Sequence, residues 1–488
     1  MYLISRHRKN INWKILRLAV WMQLVFASGL MAQQVNISRD INVRNDFAYD
    51  VLAIENEIVF FRDKGFEFYF DLFDPNLEYR RSVELVLDER KPMIENIHTI
   101  DSFVQIIYAY RDGPDYVARM VRCDKRINVT DTLELMRGAF LFSPGEMRSV
   151  ISDDKSRLAL FAIDKSNLFV VVIDTRKMEV SAAIDIEVPE YRLYEQFQEA
   201  AIANSGQVFF LFEKNNESWD KEKHMMRLVM TEGNESYQHD LVCINTLNSG
   251  VKMGVDNQNK AISIGGLYGT KNQNETEGYM IFSAAFNELR NPQMRDVQRF
   301  LFDDNILIDL NGIEKKNKKN VLNDFYTKTL IHRRDGGVVL VAELQREFTR
   351  RNAGISNFDR SMAASRGYVD YYSEDLILFS LQADGNLFWR KVLFKKQFSQ
   401  DDEGIYSSFF MMKAPSQVHF IFNDEIKNNN TVSEYVIDPL GNYRRSSLLS
   451  TEYKNLKLRF QEAIQTSSTS FVVPSEKNGR INLVKISF

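Results

Sequence analysis

Two stretches, DPNLEYRRSVEL at 74–85 and DPLGNYRRSSLL at 438–449, share Asp, Pro, Tyr, Arg, Arg, Ser and Leu at equivalent positions although 364 residues separate them. Each follows a short apolar run and leads into a second one. A related turn reads ADGNLFWRKVL at 383–393, and strand-like runs end at Asp124 (ARMVRCD) and Asp174 (FVVVIDT). The steps from Asp74 to Asp124 and from Asp124 to Asp174 are both 50 residues. A fixed period of this size in a strand-rich chain indicates units that cannot bury their faces alone and must stack around a ring. The reading is an all-β chain forming a single β-propeller.

Working outward from these turns, β-branched and aromatic runs recur as the second strand of each unit. They are EIVFF (57–61), FVQIIYAY (103–110), RLALFAI (157–163), QVFFLFE (207–213), AISIGGLYG (261–269), GVVLVAEL (337–344), QVHFIF (417–422) and SFVV (470–473). The count is eight four-stranded blades, with seven as the fallback. The last unit ends at RINLVKISF without an outer strand, and QVNISRDINV at 34–43 has no hairpin partner. The N-terminal segment is therefore expected to join the C-terminal blade and close the ring, removing an exposed edge.

The first 32 residues read as a cleaved secretory leader. Arg6, Arg8, Lys9, Lys14 and Arg17 precede an apolar stretch, 18–32, that ends in Ser28-Gly29-Leu30-Met31-Ala32. Fifteen residues interrupted by Gln23 are short for a bilayer span. Residues 33–488 then form one domain, expected to be exported and periplasmic or associated with an outer membrane, with no transmembrane span after cleavage. A formal charge of −4 argues against a nucleic-acid surface. Aromatics at 12%, including 35 Phe, suit packed strands. Cys123 and Cys243 fall on blades two and four, too far apart in the ring for a bridge, and are read as buried thiols.

Propeller geometry gives the loops a direction. Loops joining strands a to b and c to d share one face; those joining b to c and d to a share the other. The first set reads as short throughout. The second carries the expansions at 214–223, 270–277, 345–372, 425–433 and 311–324, the last with a core, IEKKNKKNVL, of helical character. The insertion-bearing face of a repeat protein is commonly its binding face. The longest insertion, 345–372, holds Arg346, Arg350, Arg351, Arg360 and Arg366 beside Tyr368, Tyr371 and Tyr372. Arg and Tyr concentrate in protein interfaces because both cover apolar area while keeping a polar handle. These eight residues are the expected partner-binding set.

No catalytic motif, cofactor site or metal-binding spacing is read from the chain. His98, His224, His239, His332 and His419 are isolated from one another and read as packed or turn histidines. A channel site would use single polar residues from several inner strands, which spacing does not reveal; Asn96, Asp153 and Asn204 are candidates. Two function classes follow. The first is a non-enzymatic scaffold docking a protein partner. The alternative is a glycan-binding or glycan-hydrolysing propeller with its site in the channel of the elaborated face.

The segment ADGNLFW at 383–389 is similar to a turn of quinoprotein-type propellers, which include an outer-membrane-protein assembly factor. As a whole the chain resembles divergent secreted β-propeller proteins of the Bacteroidota-type cell envelope. The resemblance rests on the leader ending in Ala32-Gln33, the Asn-, Lys- and Phe-rich composition and the degenerate 50-residue units. It implies protein partners in the envelope, as in an outer-membrane assembly or secretion complex. It also makes Asp131-Thr132-Leu133 a candidate O-glycosylation triplet.

Overall fold

The computed structural model describes residues 34–488 apart from 88, 139–146, 221, 244, 312–319, 351–367, 425, 427–430 and 452–455. The leader at 1–32 lies outside the described residues. Eight antiparallel sheets follow one another along the chain, each ordered a-b-c-d from the inside out. Their second strands are Glu57–Asp63, Phe103–Asp112, Arg157–Asp164, Val208–Lys214, Ala261–Gly269, Val338–Arg350, Gln417–Asn423 and Ser470–Lys477. All eight coincide with the runs read from the sequence. The protein is an eight-bladed β-propeller.

Strand alternation explains the closed ring. A blade is covered on both sides, so its b strand is apolar at consecutive positions rather than at every other one. In blade 2, Val104, Ile106 and Tyr108 pack against blade 1. The intervening Ile107 and Ala109 pack against blade 3. The apolar core is accordingly divided into eight clusters, each between two neighbouring blades, and the last joins blade 8 to blade 1. The buried thiols fit this scheme: Cys123 ends strand c of blade 2 and Cys243 follows strand d of blade 4, both free. Burial pushes the Cys123 thiol up to about 12.

The repeated Asp turn joins strands c and d. Asp74 Oδ1 accepts the N–H groups of Asn76 and Glu78 at 2.8 and 2.9 Å. Asp124 does the same for Arg126 and Asn128, and Asp438 for Leu440 and Asn442. Three residues after each Asp the backbone turns left-handed, at Leu77 (φ 66°), Ile127 (φ 64°) and Gly441 (φ 81°). Glycine takes this conformation freely; Leu77 and Ile127 adopt it while burying their side chains.

The ring is closed as expected. Gln34–Ile37 and Ile41–Asn42 both pair antiparallel with Arg480–Ser487, supplying the outer strand of blade 8. Ile41 is buried against Phe60 and Leu483 in the cluster between blades 8 and 1. At another seam the blades approach unusually closely. A side chain at Gly266 would meet the Gly250 carbonyl at 2.4 Å, and one at Gly250 would meet the Thr327 backbone of blade 6 at 3.3 Å.

Two expectations about loops need correction. The a–b and c–d loops are not all short. The c–d connection of blade 5, 286–297, carries a 3-10 turn, and its Arg295–Asp296 strand pairs with the outer strand of blade 4. A helix before blade 6 spans Ile306–Asn311, where the apolar run 306–310 packs against blade 6. Most of the expected helical core IEKKNKKNVL, 313–319 of 313–322, lies outside the described residues. The insertion at 345–372 is not simply a loop: strand b of blade 6 continues to Arg350, and strand c begins at Tyr368. Among the described residues no helix is long and apolar enough to cross a membrane.

Candidate functional site

In blade 6 the inner strand, Phe325–His332, stops at the pair Phe325–Leu344. Strands b and c continue past it as an arm, paired from Gln345–Ser373 to Arg350–Tyr368. A further strand, Gln397–Gln400, folds back after strand d and pairs with Asp370–Ser373 of strand c. The arm is thus three-stranded, in the order b, c and returning strand.

Period-two alternation gives the arm two faces. One presents Arg346, Phe348, Tyr368, Asp370, Tyr372 and Phe398. Tyr372 is the centre of this face, with Phe348 edge-on at 5.8 Å and Phe398 tilted at 5.0 Å between ring centroids. Phe348 is 53% and Tyr368 49% exposed, and both lie on this one face. Arg346 is held at the arm's base, its Nε donating to Asp324 Oδ2 at 2.7 Å, with Glu374 3.7 Å away. The other face carries Glu347, Thr349, Tyr371, Gln397 and Ser399 and turns towards the 401–409 connection, where Tyr371 lies over Gly404.

A buried polar network roots this second face. Lys395 Nζ lies 2.6 Å from Glu343 Oε1, and neither side chain is exposed to solvent. The ammonium also donates to the Ser373 carbonyl at 2.9 Å and to Gln397 Oε1 at 2.8 Å. Ser408 donates its hydroxyl to Glu343 Oε2 at 2.8 Å, and Gln397 Nε2 donates to the Asn423 carbonyl of blade 7. The returning strand is therefore tied to strands b and c and to the next blade at the root of the arm. Burial holds the Lys395 ammonium below its usual range, opposed by Glu343.

The predicted partner-binding residues are distributed as follows. Arg346, Tyr368 and Tyr372 share the aromatic face, with Arg346 already engaged in ion pairs. Tyr371 is on the opposite face, because adjacent strand residues cannot point the same way. Arg350 ends strand b. Arg351, Arg360 and Arg366 lie outside the described residues. Phe348 and Phe398 belong to the face but not to the predicted set; the alternation of Arg346, Phe348 and Arg350 was the signal that could have placed Phe348.

The channel candidates do not form one site. Asp153 and Asn204 sit on a–b turns, on the face opposite the elaborated one. Asn257 Nδ2 donates to Asp153 Oδ2 at 2.8 Å, while Asn257 Oδ1 accepts the Asn204 N–H at 2.8 Å. These groups staple blades 3, 4 and 5 together beside a channel-mouth cavity of about 550 Å³ that also touches His332 and Lys413. Asn96 bonds instead to His98 Nδ1 at 2.9 Å. Gln105 gives its amide nitrogen to the Thr175 carbonyl, so its oxygen must accept from His98 Nε2 at 2.9 Å. Burial lowers His98 to about 4.

Sequence reasoning missed the inner-strand acids. Glu95 sits at a β-bulge in blade 2 with a buried Oε1 that has no hydrogen-bond partner among the described residues. Burial pushes its carboxyl up to about 8. Asp50, in blade 1, is pushed up to about 6 by burial and by Glu462. Burial likewise raises Glu199, against the pull of Lys252 3.4 Å away. Among the described residues no group of three or more His, Cys, Asp or Glu is placed to hold a metal ion.

No family model matches the chain, and no curated protein matches it. Solved structures share its overall course. The Dos1 propeller is similar at 8% identity and a TM-score of 0.43, over 92% of this chain and 95% of that one. Sqt1 from Chaetomium thermophilum is similar at 9% identity and a TM-score of 0.42, over 93% and 99%. An oligogalacturonate lyase in complex with manganese is similar at 10% identity and a TM-score of 0.37, over 92% and 98%. Such distant likeness says nothing about activity; the fold assignment stands on the chain's own sheet order and ring of cores.

Proposed function

We propose that this protein is a non-enzymatic, exported interaction scaffold that docks a protein partner of the cell envelope through the blade 6 arm, as a subunit of an outer-membrane assembly or secretion complex. The single observation that carries the docking reading is the arm's aromatic face. It is rooted by a fully buried network yet leaves Phe348 and Tyr368 about half exposed. A rooted projection with exposed aromatic anchors loses little conformational entropy on binding, which favours affinity. The export and envelope parts of the proposal are supported by the leader and the compositional resemblance.

The test is to isolate the protein from its native envelope in mild detergent after crosslinking, and to repeat this with residues 346–372 replaced by a short Gly-Ser turn. A stoichiometric partner present with the intact chain and lost from the variant supports the scaffold. The inner-strand carboxyls Asp50 and Glu95 favour a second reading, a glycan-binding or glycan-hydrolysing channel. Raised pKa values suit a carboxyl that must donate a proton near neutral pH. An uncomplexed monomer that binds oligosaccharides, with binding lost in Asp50→Asn, would support that reading instead.

A further inference from the structure

Four of the eight outer strands of this propeller are guarded against unwanted pairing. Strand d of blade 1 and strand d of blade 7 expose consecutive arginines, Arg80-Arg81 and Arg444-Arg445. The outer strand of blade 4 is partly covered by Arg295–Asp296, and that of blade 8 is the N-terminal segment. Charged or covered edges of this kind prevent strand addition. The arm is an exception. Gln345 donates its N–H to the Asp324 carbonyl, and there the inner strand ends. Alternation carries the same outward direction to Glu347 and Thr349. Among the described residues, the N–H and C=O groups of these two residues meet no partner on that side. Both residues are exposed.

Arg346 and Phe348 of this same strand line a groove of about 490 Å³. Its far wall is the short ribbon in which Glu275–Thr276 pairs with Leu322–Asn323, and Asn274 and Glu275 line it opposite Arg346 and Phe348. The lining suits a peptide backbone, since amide side chains complement peptide groups. Its charge is uneven: Arg346 is already paired with Asp324, whereas Glu275 and Glu347 have no ion pair among the described residues. Phe348 offers an apolar surface on the face opposite Glu347.

We propose that the Arg346–Arg350 edge receives an extended segment of the partner protein as an added β-strand, with basic residues of that segment facing Glu347 and Glu275 and apolar ones facing Phe348. This deepens the scaffold reading and rests on it. Main-chain pairing supplies affinity in such strand addition, and alternate side chains supply specificity.

The test uses the full chain expressed in its native envelope. Thr349→Pro removes an outward N–H without breaking the b–c ladder, because proline is tolerated at edge positions whose N–H faces away from the sheet. Partner recovered by crosslinking should fall on the order of tenfold or more, since one hydrogen bond is lost and the incoming strand is displaced. Thr349→Val, which keeps the N–H, should recover wild-type amounts. In the purified wild-type complex the amides of Glu347 and Thr349 should exchange more slowly than in the free protein. If the arm replacement loses the partner while Thr349→Pro keeps it, docking through the arm stands and strand addition is overturned. If both keep it, the docking reading itself falls. Unchanged exchange at Glu347 and Thr349 in the complex, or a crosslink joining this edge to that of a second copy, also overturns the proposal.

Discussion

Replacing Lys395 by Met should destabilise the protein by about 3–5 kcal/mol, the usual cost of stranding one member of a buried ion pair. Lys395 Nζ is 2.6 Å from Glu343 Oε1 with both side chains fully buried. The substitution leaves the carboxylate without its main counter-charge. The Ser373 carbonyl and Gln397 Oε1 lose a donor as well, at about 1 kcal/mol each. Ser408 and Gln345 still donate to Glu343 Oε2, and Lys328 remains 3.7 Å from it, so the lower half of the range is expected. Urea unfolding followed by tryptophan fluorescence gives the loss, and a double-mutant cycle with Glu343→Leu isolates the pair. The double variant should recover most of the stability, because two apolar groups replace two charges. Hydrogen exchange should show the damage first in Gln397–Gln400, which the ammonium ties to the arm. A loss under about 1 kcal/mol, or a double variant no better than Lys395→Met, would refute the view that this pair roots the arm.

Ile41→Ala should cost about 2–4 kcal/mol in urea unfolding, since it empties a buried position in the cluster that closes the ring. The Glu95 carboxyl rises on folding from 4.5 to about 8, so the folded state takes up a proton and stability falls as pH rises through that window. Glu95→Gln should remove the slope and gain on the order of 2 kcal/mol at pH 8, as read by melts across pH 4.5–8. His98 moves the other way, from 6.5 to about 4; its contribution is complete above pH 6.5 and is lost as pH falls towards 4, by about 3 kcal/mol. His98→Gln should flatten that part of the acid-denaturation profile. Gly266→Ala should lower the melting temperature, because the new methyl would meet the Gly250 carbonyl at 2.4 Å.

The blades were legible because the Asp turn is a local device: one carboxylate caps the N–H groups two and four residues on, and its spacing survives sequence drift. The b strands were legible because burial on both faces makes them continuously apolar. The arm was not. QREFTR and YVDYYS show no period-two alternation of apolar and polar residues, because both faces of the arm carry polar groups. Read only by their Arg and Tyr content, they looked like a loop. The returning strand, Gln397–Gln400, pairs with Asp370–Ser373 earlier in the chain, and no sequence period announces so short a segment. The Glu343–Lys395 pair is equally hidden, since neither residue type signals full burial. The channel candidates failed for another reason: a polar residue on an a–b turn can face the axis and still be consumed by the next blade, as Asp153 and Asn204 are.

The way the ring is shut has a mechanical corollary. Gln34 lies opposite Ser487 and Ile37 opposite Val484, so both ends of the clasp emerge side by side at one rim. A pull applied through the two ends would load the backbone hydrogen bonds one after another, like a zip, instead of all together in shear. The clasp should therefore open at low force, and the remaining seven blades would keep their own hairpins while the eighth lets go. A tether at either end would make blade 8 the point at which tension on the protein is first relieved.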